Sequence, residues 1–496
     1  MDAFVQPLYE LADFDAIIRQ LKKPGIVQVS GCLDSQKAHF TNGLLREFPF
    51  RLIVAENDLK AKAFYEDFRL YDPEVLYYPA RDLIFYQADI HGNLLTRQRI
   101  QVLRALLERE EVTIVTSIDS CLDCLVPLAV WKEKVIKIRN DSEIDLDRMK
   151  RHLLELGYEW AAQVEVPGQF SIRGGIMDVF SLTEDNPWRI ELWGDEVDSI
   201  RTFDVESQRS IENLMDIVIY PAVEFPQNGE KGVSFLDYFP PEDTILFLDE
   251  PVRLVERGQN IEDEFMEAQK KRLESGYDLE EEEAKIFPVT EILKKINCYS
   301  SIGFYALEMK CKGLEVRESY EIQAKSVNPY NNSFEMLTQD LKRLKRNGYR
   351  VILLSGSRTR AKRLAEDLRD YNLSSYYSED LDREVKPGEI MTAYGYIAEG
   401  YEYPMLKFTV IAESDIFGKR KKKKKRKTYE GRKIQSFSEL KPGDYVVHEN
   451  HGVGVYQGIE KIVVDKISKD YMKISYAQGG NLYIPATQLD LIQKYA

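Results

Sequence analysis

The sequence predicts a multidomain α/β protein: two parallel-sheet domains, a hairpin module inserted in the first, and a small C-terminal β-barrel. Three observations carry this. Strands alternate with helices over 25–115 and again over 335–412, the order that builds parallel sheets. Short strands joined by tight turns interrupt the first run between 145 and 210. Over 440–496 apolar and polar residues alternate, with Gly443, Gly452, Gly454, Gly458, Gly479 and Gly480 at turns, which suits a twisted barrel of about five strands. A chain of 496 residues is also too long for one hydrophobic core.

The elements follow in order. The first strand is expected at 25–29, a helix from Ser35, a strand at 51–55, helices at 58–68 and 97–110, and a strand at 111–115. A helix at 145–156 precedes strands at 170–173, 176–180 and 188–193, and Gly194-Asp195-Glu196 turns the chain into 197–201. The α/β pattern returns with the apolar run 244–250, followed by an acidic helical stretch over 262–285. The second unit has helices at 335–347 and 359–371 and strands at 349–354 and 408–412. Nine consecutive basic residues, 419–427, read as a solvated tether. Contact of Lys421, Lys423 and Arg426 with nucleic-acid phosphates is the alternative.

Composition narrows the class. Apolar residues make up 44% and aromatics 11%, as in globular proteins, and the net charge of −15 argues against a surface that coats nucleic acid. The N-terminus lacks the pattern of a signal peptide, and no apolar run of about 18 residues suggests a membrane span. A cytoplasmic protein is expected. Five scattered cysteines make no disulfide framework, and Cys121-x-x-Cys124 lacks the second pair a zinc site needs, so no metal is expected. His448 and His451 read as part of a turn.

A phosphate-binding loop needs glycine at both ends, a Lys for the phosphates and a Ser or Thr for Mg²⁺. After the first strand stands Gly31-Cys32-Leu33-Asp34-Ser35-Gln36-Lys37-Ala38. Gly31 and Lys37 are kept, but Gln36 replaces the second glycine and Ala38 the hydroxyl. Downstream, 245–250 ends in Asp249-Glu250, as a Walker-B strand does. The first domain is thus expected to be a degenerate RecA/helicase-like fold that does not hydrolyse ATP.

Two segments carry a resemblance. Residues 441–456, from Lys441-Pro442-Gly443-Asp444 to Gly454-Val455-Tyr456, with Asp470-Tyr471-Met472-Lys473 and Leu482-Tyr483-Ile484-Pro485, closely resemble the RNA-polymerase-interacting domain of bacterial transcription-repair coupling factors and CarD-type regulators, a CarD/Tudor-like barrel. The stretch 166–180 around Phe170-Ser171-Ile172-Arg173-Gly174-Gly175, with 193–204, resembles the UvrA-binding segment shared by UvrB and these factors. Where UvrB has an arginine this chain has Ser171, and 77–86 runs into the next helix with no room for the damage-probing hairpin of UvrB.

The resemblance implies a UvrB-like domain 1a at 1–135, a UvrA-binding module at 136–212, the rest of the UvrB-like unit at 213–325, a small α/β domain at 326–418, a basic linker at 419–437 and the polymerase-interacting domain at 438–496. It implies an adaptor, the non-motor half of a coupling factor. Arg173, Phe170, Asp178 and Phe180 would meet UvrA. Ile462, Val463, Tyr456 and Lys461 would meet the RNA polymerase β subunit. ATP, Mg²⁺ and most DNA contact would belong to a translocase motor expected beyond Ala496, whose absence would leave the UvrA surface unmasked. The competing reading is a CarD-like transcription regulator on an unrelated scaffold.

Overall fold

The protein is described as a computed structural model covering residues 2–44, 48–81, 93–226, 231–274, 286–418, 431–433, 441–448, 452–464, 467–475, 481–485 and 492–495. Its first unit is built on seven parallel strands, in the order Val316–Glu321, Gly25–Ser30, Ser300–Tyr305, Thr244–Asp249, Phe50–Ala55, Val112–Ser117, Leu76–Tyr78. Four of these strands, Gly25–Ser30, Val112–Ser117, Thr244–Asp249 and Ser300–Tyr305, are buried at every position. A parallel sheet is covered on both faces, which is why these segments read as continuous apolar runs. Ile26, Leu52, Val54 and Leu246 enter one core, and Val27, Val29, Ile53 and Phe247 enter another.

Helices Asp34–Leu44, Asp58–Phe68 and Asn93–Glu108 link successive strands. The last begins at Asn93, while 82–92, and with them the second half of the segment 77–86 read as too short for a hairpin, lie outside the described residues. The helix expected from 262 starts earlier, at Pro251, directly after its strand, and is described over Pro251–Glu274; 275–285 lie outside the described residues. Its buried stripe, Leu254, Ile261 and Phe265, fixes where it packs.

The module hangs from an antiparallel pair, Ile136–Arg139 with Asp216–Ile219, where the chain enters and leaves it. Its six-stranded sheet has the order Ser210–Leu214, Glu196–Phe203, Trp188–Trp193, Ile176–Val179, Gln169–Arg173, Glu159–Trp160. The helix Leu146–Glu155, capped by the Asp145 carboxylate, supplies Leu153 to the core beneath the sheet, with Phe170, Met177 and Ile190. Trp193 pairs with Glu196, leaving the two-residue turn Gly194-Asp195, and Gly194 takes the left-handed φ of +67° that such a turn requires.

The second α/β unit has the strand order Lys325–Ser326, Tyr401–Tyr403, Phe408–Ile411, Arg350–Ser355, Ile390–Tyr394, Ser375–Ser378, the last four parallel. Val351 and Leu353 pack on the helix Phe334–Arg346, while Ile352 and Leu354 face the first unit and share a core with Val27 and Val29.

The C-terminal unit is a six-stranded antiparallel sheet in the order Gly431–Lys433, Ile492–Tyr495, Tyr445–His448, Gly452–Val464, Ile467–Ser475, Asn481–Pro485. No pairing that would close it into a barrel is among the described residues. Gly431–Lys433 was expected in the linker, but it pairs with Ile492–Tyr495, because backbone groups at a sheet edge take a partner regardless of side-chain charge. His448, expected in a turn, ends a strand opposite Gly452, and His451 lies outside the described residues. So do Lys421, Lys423 and Arg426. Among the described residues no helix is long and apolar enough to cross a membrane.

Candidate functional site

The loop after Gly25–Ser30 is filled by its own side chains. Gly31 adopts φ +78°, and a Cβ there would stand 2.2 Å from the Ile322 carbonyl oxygen. This glycine is therefore kept for a close backbone approach by the chain following the edge strand. The Leu33 N–H, a donor that a phosphate would use, is given to Gln36 Oε1 at 3.1 Å. Lys37 is buried, its ammonium 2.7 Å from Asp249 Oδ1 and 2.9 Å from Glu250 Oε1. Burial opposes that charge, but the two carboxylates outweigh it and hold the lysine above its ordinary pKa. Ala38 is fully buried in apolar surroundings and offers nothing to a cation.

The outward face of the module sheet is a different kind of surface. Strand alternation sends Phe170, Met177, Val179 and Ile190 inward and Arg173, Asp178, Arg189, Glu191 and Trp193 to the other side. One cross-strand row reads Ser171, Asp178, Arg189, Arg201; the next reads Arg173, Ile176, Glu191, Ser199. Asp178 is the anchor. Arg189 donates to it through two nitrogens, at 2.7 and 2.8 Å, and Arg173 Nη2 donates at 2.8 Å. The Arg189 guanidinium also lies 4.2 Å from the Phe203 ring centroid. Arg201 pairs with Glu191 through both of its terminal nitrogens. Arg173 keeps 48% of its side chain exposed, and Trp193, at the hairpin turn, is 85% exposed. An exposed aromatic and a fixed, half-exposed guanidinium on the same sheet face have the composition of a protein-binding hot spot.

The expected contact residues divide accordingly. Phe170 is buried on the inward side of its strand, and Phe180, just past the end of the strand Ile176–Val179, is buried as well. Asp178 is buried too and acts by aiming two arginines. Arg189 and Trp193, which share this outward face, were not singled out in the sequence. Their signal was strand parity: positions 189, 191 and 193 alternate with the buried 188 and 190.

In the C-terminal unit the 13-residue strand Gly452–Val464 pairs with Ile467–Ser475 over residues 455–464 and with Tyr445–His448 over residues 452–455. Beyond that point no described strand covers its other side. Lys461, Ile462 and Val463 belong to this one-sided stretch, opposite Asp470, Lys469 and Ser468. Tyr456 is buried in the sheet, and burial pushes its hydroxyl up to about 12.

With the hairpin module and the C-terminal sheet in place, two family models fit the chain: the UvrB interaction domain over residues 136–225 and the CarD-like/TRCF RID domain over residues 440–496. Together they place a UvrB-type interaction domain and a CarD-type domain in one chain. Along its whole length the chain is similar to the N-terminal half of transcription-repair-coupling factors: 30% identical to that of Bacillus subtilis (strain 168) over 560 aligned residues, covering 100% of this chain and 47% of the relative. The factor of Staphylococcus haemolyticus (strain JCSC1435) is 26% identical over 95% of this chain and 45% of its own length. The chain spans about half the length of the curated relatives it matches.

Proposed function

We propose that this chain is the recruiting portion of a transcription-repair-coupling factor, holding RNA polymerase at one end and UvrA at the other. The observation that carries the reading is the outward face of the module sheet, where Asp178 fixes Arg173 and Arg189 and Trp193 stands free of the core. Arginine forks suit an acidic surface, and the indole supplies apolar area near them. At the other end, the one-sided edge of Gly452–Val464 suits addition of a strand from the polymerase β subunit, with backbone hydrogen bonds giving affinity and Ile462 and Val463 adding contacts. Closure of the C-terminal sheet into a CarD/Tudor-like barrel belongs to the same proposal.

The first unit is, in this reading, a RecA/helicase-like scaffold without nucleotide chemistry. Gln36 occupies its phosphate loop, Lys37 is held by Asp249 and Glu250, and neither ATP nor Mg²⁺ is assigned to these residues. DNA contact is assigned to no described residue, and the cytoplasm is the compartment the two partners require.

Binding of the purified chain to UvrA and, separately, to the polymerase β subunit tests this. Trp193→Ala should lose UvrA alone, and Ile462→Arg should lose polymerase alone. Binding to polymerase with no measurable UvrA affinity, in a folded chain, would favour a CarD-like regulator and sink the two-ended adaptor.

A further inference from the structure

In a two-lobed motor the helix that follows the phosphate loop borders a cleft that opens and closes around nucleotide. Here the corresponding helix, Asp34–Leu44, is welded to the second α/β unit. Gln36 Nε2 donates to the Tyr403 hydroxyl at 2.8 Å, and Tyr403 in turn lies 3.0 Å from His39 Nδ1. His39 Nε2 is 2.7 Å from the Phe4 carbonyl oxygen. One assignment satisfies all three contacts: His39 is neutral with its proton on Nε2, and Tyr403 donates to Nδ1 while accepting from Gln36. The His39 ring stacks on Tyr401, whose hydroxyl meets that of Tyr71 at 3.0 Å.

A second row lies beside the first. Asp67 accepts from the Ala398 N–H at 2.7 Å and from Ser35 Oγ at 2.9 Å, while the Glu399 N–H reaches Ser35 Oγ at 3.3 Å. Gln36, His39, Tyr401 and Tyr403 are buried essentially completely. A buried, hydrogen-bonded polar network inside a shared apolar core favours one arrangement, because sliding leaves several buried groups unpaired at once.

We infer that Gln36 and His39 form an interdomain clamp with Tyr403, so that the two α/β sheets behave as one rigid body and the cleft of a two-lobed motor is replaced by a fixed strut. The residue that spoils the phosphate loop is then the same residue that holds the second unit in place. The strut sets how the first α/β unit, and the module sheet built onto it, stands relative to the second unit.

Native-state amide exchange on the full chain tests this. In the unaltered protein the slowest amides of Gly25–Ser30 and Ser300–Tyr305 should share one opening with those of Arg350–Ser355, with rates within about threefold and the same urea dependence. Tyr403→Phe, which keeps the ring, and Gln36→Gly with Tyr403→Phe should detach the second unit and speed its amides by about tenfold relative to those of the first. Separate openings of the two sheets in the unaltered chain would overturn the clamp. So would a double variant that folds and leaves the ratio of rates unchanged.

Discussion

The Lys37 ammonium lies 2.7 Å from Asp249 Oδ1, joining the helix after the phosphate loop to the end of the strand that would carry a Walker-B carboxylate. A fixed cation thus stands between Asp249 and Glu250, where a divalent ion would bring its charge in an NTPase. Removing it leaves two carboxylates, one buried and one half-buried, without their counter-charge. Lys37→Met is expected to cost about 3–5 kcal/mol in urea unfolding, the penalty of breaking a buried pair from one side. Restoring the motif by Gln36→Gly and Ala38→Thr should not yield binding of a fluorescent ATP analogue, since Lys37 stays engaged.

Gly31 gives a prediction that separates backbone geometry from nucleotide chemistry. Gly31→Ala places a methyl 2.2 Å from the Ile322 carbonyl at a φ of +78°. It should destabilise the fold by about 2–4 kcal/mol. Loss of thermal stability in a chain that never bound nucleotide would show that the glycine serves the Ile322 approach.

Two groups in the clamp make pH dependences of opposite sign. Burial pushes His39 down to about 4, so its folded pKa lies below the unfolded one, and its contribution is complete above about 6.5 and lost as pH falls toward 4. Burial pushes Asp67 up to about 6 despite bonds from Ala398 and Ser35. Its folded state binds the extra proton, so stability falls as pH rises from about 4 to 6. Each effect is worth about 3 kcal/mol and they oppose over the same range. Asp67→Asn removes one of them. The stability difference between variant and parent should be near zero at pH 4 and grow to about 2–3 kcal/mol above pH 6. A difference that does not vary with pH would show that Asp67 ionises normally.

The layout of the first unit was legible because both faces of its sheet are buried, so 25–29 and 244–249 read as unbroken apolar strands. The hairpin module was legible from Gly194 and the alternation around it. What the sequence did not disclose is where elements distant in the chain meet. Nothing near Gln36 points to Tyr403, 367 positions away. A one-residue parity choice separates Phe170, which is core, from Arg173, which is surface. The apolar character of Phe180 suggested a contact, yet the same character is what keeps it inside.

The module face yields the last prediction, in which stability and affinity come apart. Trp193 is 85% exposed, so Trp193→Ala should change unfolding free energy by no more than about 0.5 kcal/mol. As a hot spot it should nonetheless weaken UvrA binding by about tenfold or more. Asp178→Ala should do the reverse in order of cause. It leaves Arg189, itself only 14% exposed, unpaired against the sheet, costing about 3–5 kcal/mol, and affinity falls because Arg173 loses its aim. Asp178→Asn, which keeps an acceptor for Arg189, should recover most of the stability and only part of the affinity. Calorimetric titration and urea unfolding on the same three variants decide it: if Trp193→Ala binds UvrA as tightly as the parent, the contact face lies elsewhere on the module.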